Sequence, residues 1–181
     1  AQVREVIERV VVPVEAVERL AIRSALGRVL AEDLVSPIDV PAHDNAAMDG
    51  YAVRAADLAP DAPTVLAIAG TALAGQPYTG TAGPGEAVRV TTGALMPAGL
   101  DTVVIQEQVS IEGRRIVVPP GQQPGQHRRR CGEDLARGRP ALRAGKRLIP
   151  ADLGLLASLG FAGVPVRRRL RVAFFSTGDE L

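Results

Sequence analysis

Short apolar runs separated by glycine and proline fill the middle of the chain, from Tyr51 to about Arg137, and they constrain the fold more than any other feature. The runs are rich in Val, Ile and Thr, and none of them shows the period of a helix. They lie at residues 65–68, 87–91, 102–106 and 115–118. This spacing predicts a compact β-rich domain.

Helical patterns occur only towards the two ends. Apolar residues at helical spacing predict a short helix over residues 3–10, and an apolar run predicts a second helix over 151–159 that ends before Gly160. Extended patterns accompany them at residues 29–35 and 164–169. The predicted fold class is therefore mixed α+β, with a β-rich domain inserted into a smaller unit made of both ends.

The predicted boundaries follow from these changes of pattern. Residues 1–43 and 138–170 form the outer α/β unit, and residues 44–137 form the inserted domain. Residues 171–181 begin with an apolar run and continue with Ser176-Thr-Gly, which is typical of a buried parallel strand that ends in a ligand-binding loop. Because a parallel strand needs a crossover and a partner, we expect this strand to open a further, truncated α/β domain.

Composition excludes several classes of protein. The formal net charge of +1 argues against non-specific binding to nucleic acid or to a membrane surface. Cys131 is the only cysteine, so no internal disulfide forms, which fits a cytoplasmic protein. No apolar run reaches the 18 residues of a transmembrane helix, and no signal-peptide core is present near the first residue.

The stretch from Pro41 to Val53 holds two carboxylates, Asp44 and Asp49, and no Lys or Arg. Asp49-Gly50 favours a tight turn, and the alternation that starts at Tyr51 predicts a strand directly after it. On residue types alone, an Asp that caps its own turn is a more common arrangement than an active site.

The run Asp44-Asn-Ala-Ala-Met-Asp-Gly-Tyr-Ala-Val53 resembles the sequence signature of the molybdopterin molybdenumtransferases, the MoeA family, whose animal relative is the gephyrin E-domain. Two residues depart from that pattern, since His43 replaces a common Phe and Ala46 replaces the usual Ser. Further similarity runs from about Ala25 to Leu181. The resemblance implies that Asp49 is catalytic and that Gly50 and Tyr51 contact substrate.

Three further segments resemble functional segments of that family. Thr92-Gly93 matches its Thr-Gly-Ala loop, which implies a catalytic Thr92 and a substrate-binding Gly93; on spacing alone, Thr92 is a hydroxyl bonded to its own turn. Arg129 and Asp134 match the substrate-binding positions of an Arg-Arg-x-Gly-x-Asp run, which without the resemblance is a solvated charged loop. Glu180 lies in the segment that resembles the start of the molybdopterin-binding α/β domain, and it is implied to be catalytic.

The candidate acids also predict a metal. Asp49, Asp134 and Glu180 suit a hard cation such as Mg²⁺ if folding brings them together, and we assign Asp49 and Glu180 as its ligands. His43 and His127 are far apart and neither has a neighbouring cysteine, so we do not predict a zinc site. Cys131 has no nearby base and is not a candidate nucleophile.

The resemblance implies a function in molybdenum cofactor biosynthesis. The family inserts molybdate into adenylylated molybdopterin and releases AMP, and its members are homodimers, so the outer unit is expected to be elongated and to dimerise. The expected partners are adenylylated molybdopterin, molybdate, a second copy of the chain and the upstream adenylyltransferase. We expect the 181-residue chain alone to be inactive. The alternatives are a non-catalytic dimeric scaffold of the gephyrin E-domain type and a β-barrel binding module without chemistry.

Overall fold

The computed structural model describes residues 2–174, and within that range the protein is β-rich with two short α-helices. The helices are α1 (Gln2–Val10) and α2 (Pro150–Ser158). No helix in the described range is long and apolar enough to cross a lipid bilayer. The strands, in chain order, are β1 (Val17–Ala21), β2 (Leu34–Val35), β3 (Asn45–Ala46), β4 (Gly50–Val53), β5 (Thr64–Ala72), β6 (Glu86–Val90), β7 (Thr102–Ile105), β8 (Ser110–Glu112), β9 (Arg115–Val118), β10 (Arg128–Arg129), β11 (Pro140–Leu142) and β12 (Gly163–Arg167).

Contacts between Cα atoms divide the chain into two compact units. The first consists of Ala1–Pro37 with Gly138–Leu181, and the second is the continuous segment Ile38–Arg137. The predicted inserted domain began at residue 44, whereas the second unit begins earlier because Val40 pairs with Leu135 through an N···O hydrogen bond of 2.8 Å.

The first unit packs α2 against two antiparallel strand pairs, β1 with β12 and β2 with β11. The predicted second helix is confirmed within one residue at each end, and Gly160 has a φ of +82°, the left-handed conformation that ends many helices. The extended pattern at 29–35 is only partly correct, since regular pairing there is confined to β2 and to isolated bridges at Val29 and Leu30. The buried core consists of Ala25, Leu30, Leu34, Leu142, Leu148, Leu156, Val164 and Val166.

Asp152 fixes the start of α2 from a buried position. Its Oδ2 accepts the backbone N–H of Ile149 at 3.0 Å, and its Oδ1 lies 2.8 Å from the Lys146 ammonium nitrogen. Burial raises the pKa of Asp152, but the hydrogen bonds from Lys146 and Ile149 outweigh this effect and leave its pKa below the ordinary value. Asp152 is therefore an ionised carboxylate that accepts the Ile149 N–H, which would otherwise be unpaired at the start of α2.

The second unit contains a six-stranded sheet in the order β7-β4-β6-β5-β9-β8. All neighbours are antiparallel except β5 and β6, which run parallel. Alternate side chains of the central strands enter two separate cores, so Tyr51 and Val53 pack on one face while Ala52 packs on the other. Both faces of the sheet are therefore buried, which explains why the strands read as nearly continuous apolar runs.

The predicted strands of this unit are largely confirmed. The runs at 87–91, 102–106 and 115–118 match β6, β7 and β9 to within one residue, and the run at 65–68 lies inside the longer β5. The exposed β8 was not predicted because it has only three residues, and its single apolar residue, Ile111, is too short a pattern to mark a strand. The parallel strand predicted from residue 171 has no partner in the described range, where residues 171–174 form no regular strand and the Phe174 side chain is 95% exposed. The rest of that predicted strand, including Glu180, lies outside the described residues.

Gly50 is required by close packing and not by a turn. It is the first residue of β4 and pairs with Val90 on one side and Ile105 on the other. Its φ is not in the left-handed region, and the chain bends at residues 47–49 before the strand begins, so Gly50 belongs to the strand and not to the expected tight Asp-Gly turn. A Cβ atom at this position would lie well under 3.0 Å from the backbone carbonyl oxygen of Val104, which can move only with the sheet.

We expect Gly50→Ala to lower the free energy of unfolding by about 3 kcal/mol, because the added methyl group overpacks a buried sheet. Urea denaturation measures this difference. Gly83→Ala is the matched control in the same unit, since its new Cβ would meet no atom closer than 3.5 Å, and we expect a change below about 1 kcal/mol. Equal destabilisation in the two variants would contradict this explanation of Gly50.

Candidate functional site

The two-residue strand β3 gathers the candidate residues because its segment hydrogen-bonds on both edges. On one edge it pairs with β10, which places Arg129 opposite Asn45. On the other edge the Ala46 N–H donates to the Ala94 carbonyl at 2.9 Å, and the Ala46 carbonyl accepts the Gly93 N–H at 2.8 Å. Three segments that are distant in the sequence therefore meet within the second unit.

Asp49 and Thr92 are in direct contact. Asp49 Oδ1 accepts the Thr92 backbone N–H at 2.7 Å and the Thr92 hydroxyl at an O···O distance of 2.8 Å. The Thr92 N–H and then its hydroxyl lower the pKa of Asp49, with a smaller contribution from the charge of Arg89. Asp49 is thus an ionised carboxylate whose orientation is fixed by two donors from one residue.

This geometry determines which protons and lone pairs the pair offers to a ligand. An ionised carboxylate only accepts, so the single hydroxyl proton of Thr92 is committed to Asp49. Asp49 Oδ2 accepts no hydrogen bond from any residue in the described range. Thr92 therefore acts on Asp49 as a positioning residue, and Asp49 Oδ2 is the oxygen left for a ligand.

Asp44 belongs to a separate ion pair that anchors the segment after β10. Its Oδ2 accepts Arg128 Nε at 2.9 Å and also pairs with Arg128 Nη2, and its Oδ1 accepts the Cys131 N–H at 2.7 Å. The Cys131 N–H and then the Arg128 guanidinium hold the pKa of Asp44 below its usual value. The first carboxylate of the signature thus fixes backbone and is already fully paired.

Arg129 is also paired. Its Nε donates to Glu133 Oε1 at 2.7 Å, and its Nη2 pairs with Asp134 Oδ2. The hydrogen bonds that Arg129 donates to Asp134 and then to Glu133 raise the pKa of Arg129. Two carboxylates on one guanidinium leave this cluster with a net negative charge, so a substrate anion that binds Arg129 has to displace or share one of them.

Cys131 is unsuited to act as a nucleophile, as the sequence indicated. Its Sγ lies 3.2 Å from the Ala42 carbonyl oxygen. Desolvation and then the charges of Asp39 and Asp44 raise the pKa of Cys131, which keeps the thiol protonated.

A cavity of about 330 Å³ lies beside these groups. Gly93, the residue after Thr92, forms part of its wall, and His43 and Asn45 are its polar side chains. The remaining lining residues are Ala42, Leu73, Gly75, Pro77 and Leu95. The cavity is therefore mainly apolar with a polar side formed by the segment that precedes β4, which is the usual composition of a small-molecule site.

Two signature residues that were predicted to contact substrate are buried in the sheet. The Tyr51 side chain is only 4% exposed and packs with Val53 and Leu66. Gly50 is enclosed between two strands. Neither residue lines the cavity, and both are explained by packing.

The predicted metal ligands do not form a cluster within the described range. No group of three His, Cys, Asp or Glu side chains among residues 2–174 is placed to hold a metal ion. Asp134 instead pairs with Arg129, and Glu180 lies outside the residues described.

Sequence reasoning missed two features of the site. Glu133 accepts a hydrogen bond from Arg129 and another, at 2.7 Å, from the Arg130 N–H. The spacing of four residues between Arg129 and Glu133 is consistent with their ion pair. His43 was treated only as a departure from the family pattern, although it lines the cavity. The sequence around His43 does not indicate this role, because other lining residues of the cavity, Leu73, Gly75 and Pro77, are about 30 positions away in the chain.

We expect Asp44→Asn to lower the free energy of unfolding at pH 7 by about 1–2 kcal/mol, since Asn keeps an oxygen for the Cys131 N–H but loses the charge that faces Arg128. Because the folded pKa of Asp44 is below its unfolded value, this stabilisation is present above about pH 4–5 and disappears as the pH falls through the folded pKa. Urea denaturation between pH 7 and pH 3 measures the effect.

Asp61→Asn is the control for that series, because Asp61 is exposed and its side chain has no hydrogen bond or ion pair with any described residue. The two variants should differ at pH 7 and converge at low pH. A difference between Asp44→Asn and the native chain that does not change with pH would contradict the assigned ion pair.

Comparisons with known proteins agree on one family. The model of the MoeA N-terminal region (domain I and II) matches residues 1–160. The chain is 46% identical to a molybdopterin molybdenumtransferase of Haemophilus influenzae, covering 91% of this chain and 40% of the relative, and 43% identical to one of Synechococcus elongatus, with 92% and 42% covered.

A solved structure supports the same relationship. The crystal structure of a molybdopterin biosynthesis MoeA protein from Pyrococcus horikoshii OT3 superposes with a TM-score of 0.82 at 38% identity, over 91% of this chain and 45% of that chain. The present chain thus spans less than half the length of these relatives. Since the family model covers most of the chain, the chain belongs to the MoeA family, in its N-terminal region of domains I and II.

Proposed function

We propose that the full-length protein that contains this chain inserts molybdate into adenylylated molybdopterin and releases AMP. The proposal extends to this chain the activity named in its relatives, which are molybdopterin molybdenumtransferases. Neither these relatives nor the described residues favour the scaffold alternative.

The observation that carries the proposal is the Asp49–Thr92 contact next to a ligand-sized cavity. Release of AMP requires attack on the adenylate phosphorus, and an oriented carboxylate is suited to hold the attacking oxygen or its proton. Thr92 fixes Oδ1 of Asp49 and leaves Oδ2 for that task. The preorganisation costs nothing at the moment of reaction, because the two donors are already in place.

The charged segment after β10 is proposed to bind the anionic part of the substrate. Arg128 and Arg129 carry the guanidinium groups that match phosphate geometry, although each is paired with an acid. A substrate phosphate would share Arg129 with Asp134 and take the position of Glu133. Arg129 and Asp134 thus remain the proposed substrate-binding pair.

The described residues fit a Mg²⁺ ion only in part, and Mg²⁺ is therefore a proposal. Asp49 offers one carboxylate oxygen without a hydrogen bond, and Mg²⁺ is commonly held by one or two carboxylates together with substrate phosphates. We propose Asp49 and Glu180 as its protein ligands. Such an ion would neutralise negative charge that develops on the phosphate.

We further propose that the second unit is a domain inserted into an elongated outer domain, and that the residues after 170 begin a molybdopterin-binding α/β domain. We also propose that the protein is a cytoplasmic homodimer in which Asp49 and Thr92 of one copy act with Glu180 of the other. The adenylylated substrate has to come from an adenylyltransferase.

In the full-length protein, Asp49→Asn is expected to reduce the rate of molybdate insertion by about 100-fold or more, the range in which loss of a general base falls. Asn retains an oxygen for the two Thr92 donors but replaces the charged Oδ2 by an uncharged NH2 group that cannot accept a proton. The measurement is AMP release and formation of molybdenum cofactor, with circular dichroism as a check on the fold. Asp61→Asn makes the same chemical change on an exposed side chain and should keep full activity. An undiminished rate in Asp49→Asn would refute the proposed role.

The shared site is tested by complementation. Full-length Asp49→Asn and Glu180→Ala are each expected to be inactive, and mixed dimers made by dissociation and reassociation should regain one intact site of two. If mixed dimers form and remain inactive, the two residues do not act across copies.

A further inference from the structure

A second cavity of about 420 Å³ lies in the second unit and shares no lining residue with the one beside Thr92. It is bounded by residues 67–69 of β5 and by the turn that joins β8 to β9. Its polar lining groups are Tyr78, Thr81, Glu86, Arg114 and Arg115. Nothing in the proposed reaction uses these side chains.

Tyr78 lies in the wall of this cavity and packs closely against two glycines. A Cβ atom at Gly70 or at Gly80 would lie under 3.0 Å from the Tyr78 ring or hydroxyl, so the side chain occupies space that only two glycines leave open. The Tyr78 hydroxyl makes no hydrogen bond with the described residues. An aromatic ring with an unused hydroxyl is a ready-made contact for a ligand.

Arg114 and Arg115 add two exposed positive charges to the rim of this cavity. Neither side chain has an ion pair or a hydrogen bond within residues 2–174, in contrast to Arg128 and Arg129. Gly113, with a φ of +62°, makes the turn that brings both residues to the cavity.

The one acid of the cavity, Glu86, is partly engaged. Its Oε2 accepts the Gly83 N–H at 2.7 Å. Glu112 pairs in register with Arg115 across the β8–β9 hairpin, but no ion pair joins them within the described range. The two guanidinium groups therefore outweigh the acid that lines the cavity.

We propose that this cavity binds a small ligand that carries a phosphate or a similar oxyanion. Two unpaired guanidinium groups and the hydroxyls of Tyr78 and Thr81 supply donors of the kind that bind phosphate oxygens. Ile68 and Ala69 supply an apolar wall for the remainder of the ligand. The volume is in the range of small-molecule sites. This site is independent of the proposed transferase reaction.

The experiment is titration calorimetry of the 181-residue chain at low salt, with inorganic phosphate in one arm and AMP in the other. Tyr78 also provides an optical signal, because the chain has no Trp and its other tyrosine, Tyr51, is buried. We expect saturable binding of one phosphate per chain together with a change in tyrosine emission. Tighter binding of AMP identifies an organic phosphate as the ligand, and equal affinity identifies the phosphate group alone.

The decisive variant is Arg114→Gln with Arg115→Gln, which should weaken binding by about tenfold or more. Tyr78→Phe, which keeps the ring, should weaken binding by a smaller factor and abolish the change in emission. Arg137→Gln removes one charge from an exposed position of the same unit outside the cavity and should leave the affinity unchanged. A thermal unfolding curve confirms that each variant is folded. If the double variant does not fold, Arg114→Gln and Arg115→Gln are measured separately in its place.

Three results would overturn the proposal. They are no saturable binding by the native chain, an unchanged affinity in the folded arginine variants, and an equal loss of affinity in Arg137→Gln. The last result would mean that phosphate responds to the overall charge of the unit and not to this cavity.

Discussion

The hydrogen bonds that the β3 segment makes on both edges are the constraint on which the candidate site depends. Two residues, Asn45 and Ala46, hold the loop that contains Thr92 on one side and the arginine-rich segment on the other. Backbone groups buried between two neighbours have to be paired, so this arrangement has little freedom to slip. Asp44 reinforces it by fixing Arg128 and the Cys131 N–H. The position of Asp49 relative to Thr92 follows from backbone pairing of its neighbours.

The ion pairs of this region serve orientation more than stability. Most of the side chains involved are partly exposed, and exposed ion pairs contribute little to the free energy of folding. These ion pairs fix the directions of neighbouring side chains, since Arg128 pairs with Asp44 and Arg129 pairs with Glu133 and Asp134. Of the four acids Asp44, Asp49, Glu133 and Asp134, only Asp49 is bonded to uncharged donors alone, those of Thr92. Its negative charge forms no ion pair with the described residues, and the only cation that acts on it is Arg89, through its charge and not through a hydrogen bond.

Local pattern predicted the strands of the second unit well and the contacts of the site poorly. The residues of 102–106 and 115–118 are mostly apolar because both faces of the sheet are buried, and such continuous apolar runs are visible in the sequence. The pairing of Asp44 with Arg128 joins residues 84 positions apart and has no local signature. Gly50 shows the opposite error, since Asp-Gly has a strong turn preference that the tertiary packing of β4 overrides. The buried position of Tyr51 likewise depends on which face of the sheet it joins.

The parallel pairing of β5 and β6 has a consequence for how this unit tolerates change. Two parallel strands need a crossover, and residues 73–85 form it. That one connection contributes Leu73, Gly75 and Pro77 to the first cavity and Tyr78 and Thr81 to the second. Evolutionary insertion or deletion in the crossover would therefore alter both cavities at once, so neither can be remodelled through it alone. A protein engineer who wishes to reshape one cavity independently has to work from the opposite wall, at His43 for the first or at the β8–β9 turn for the second.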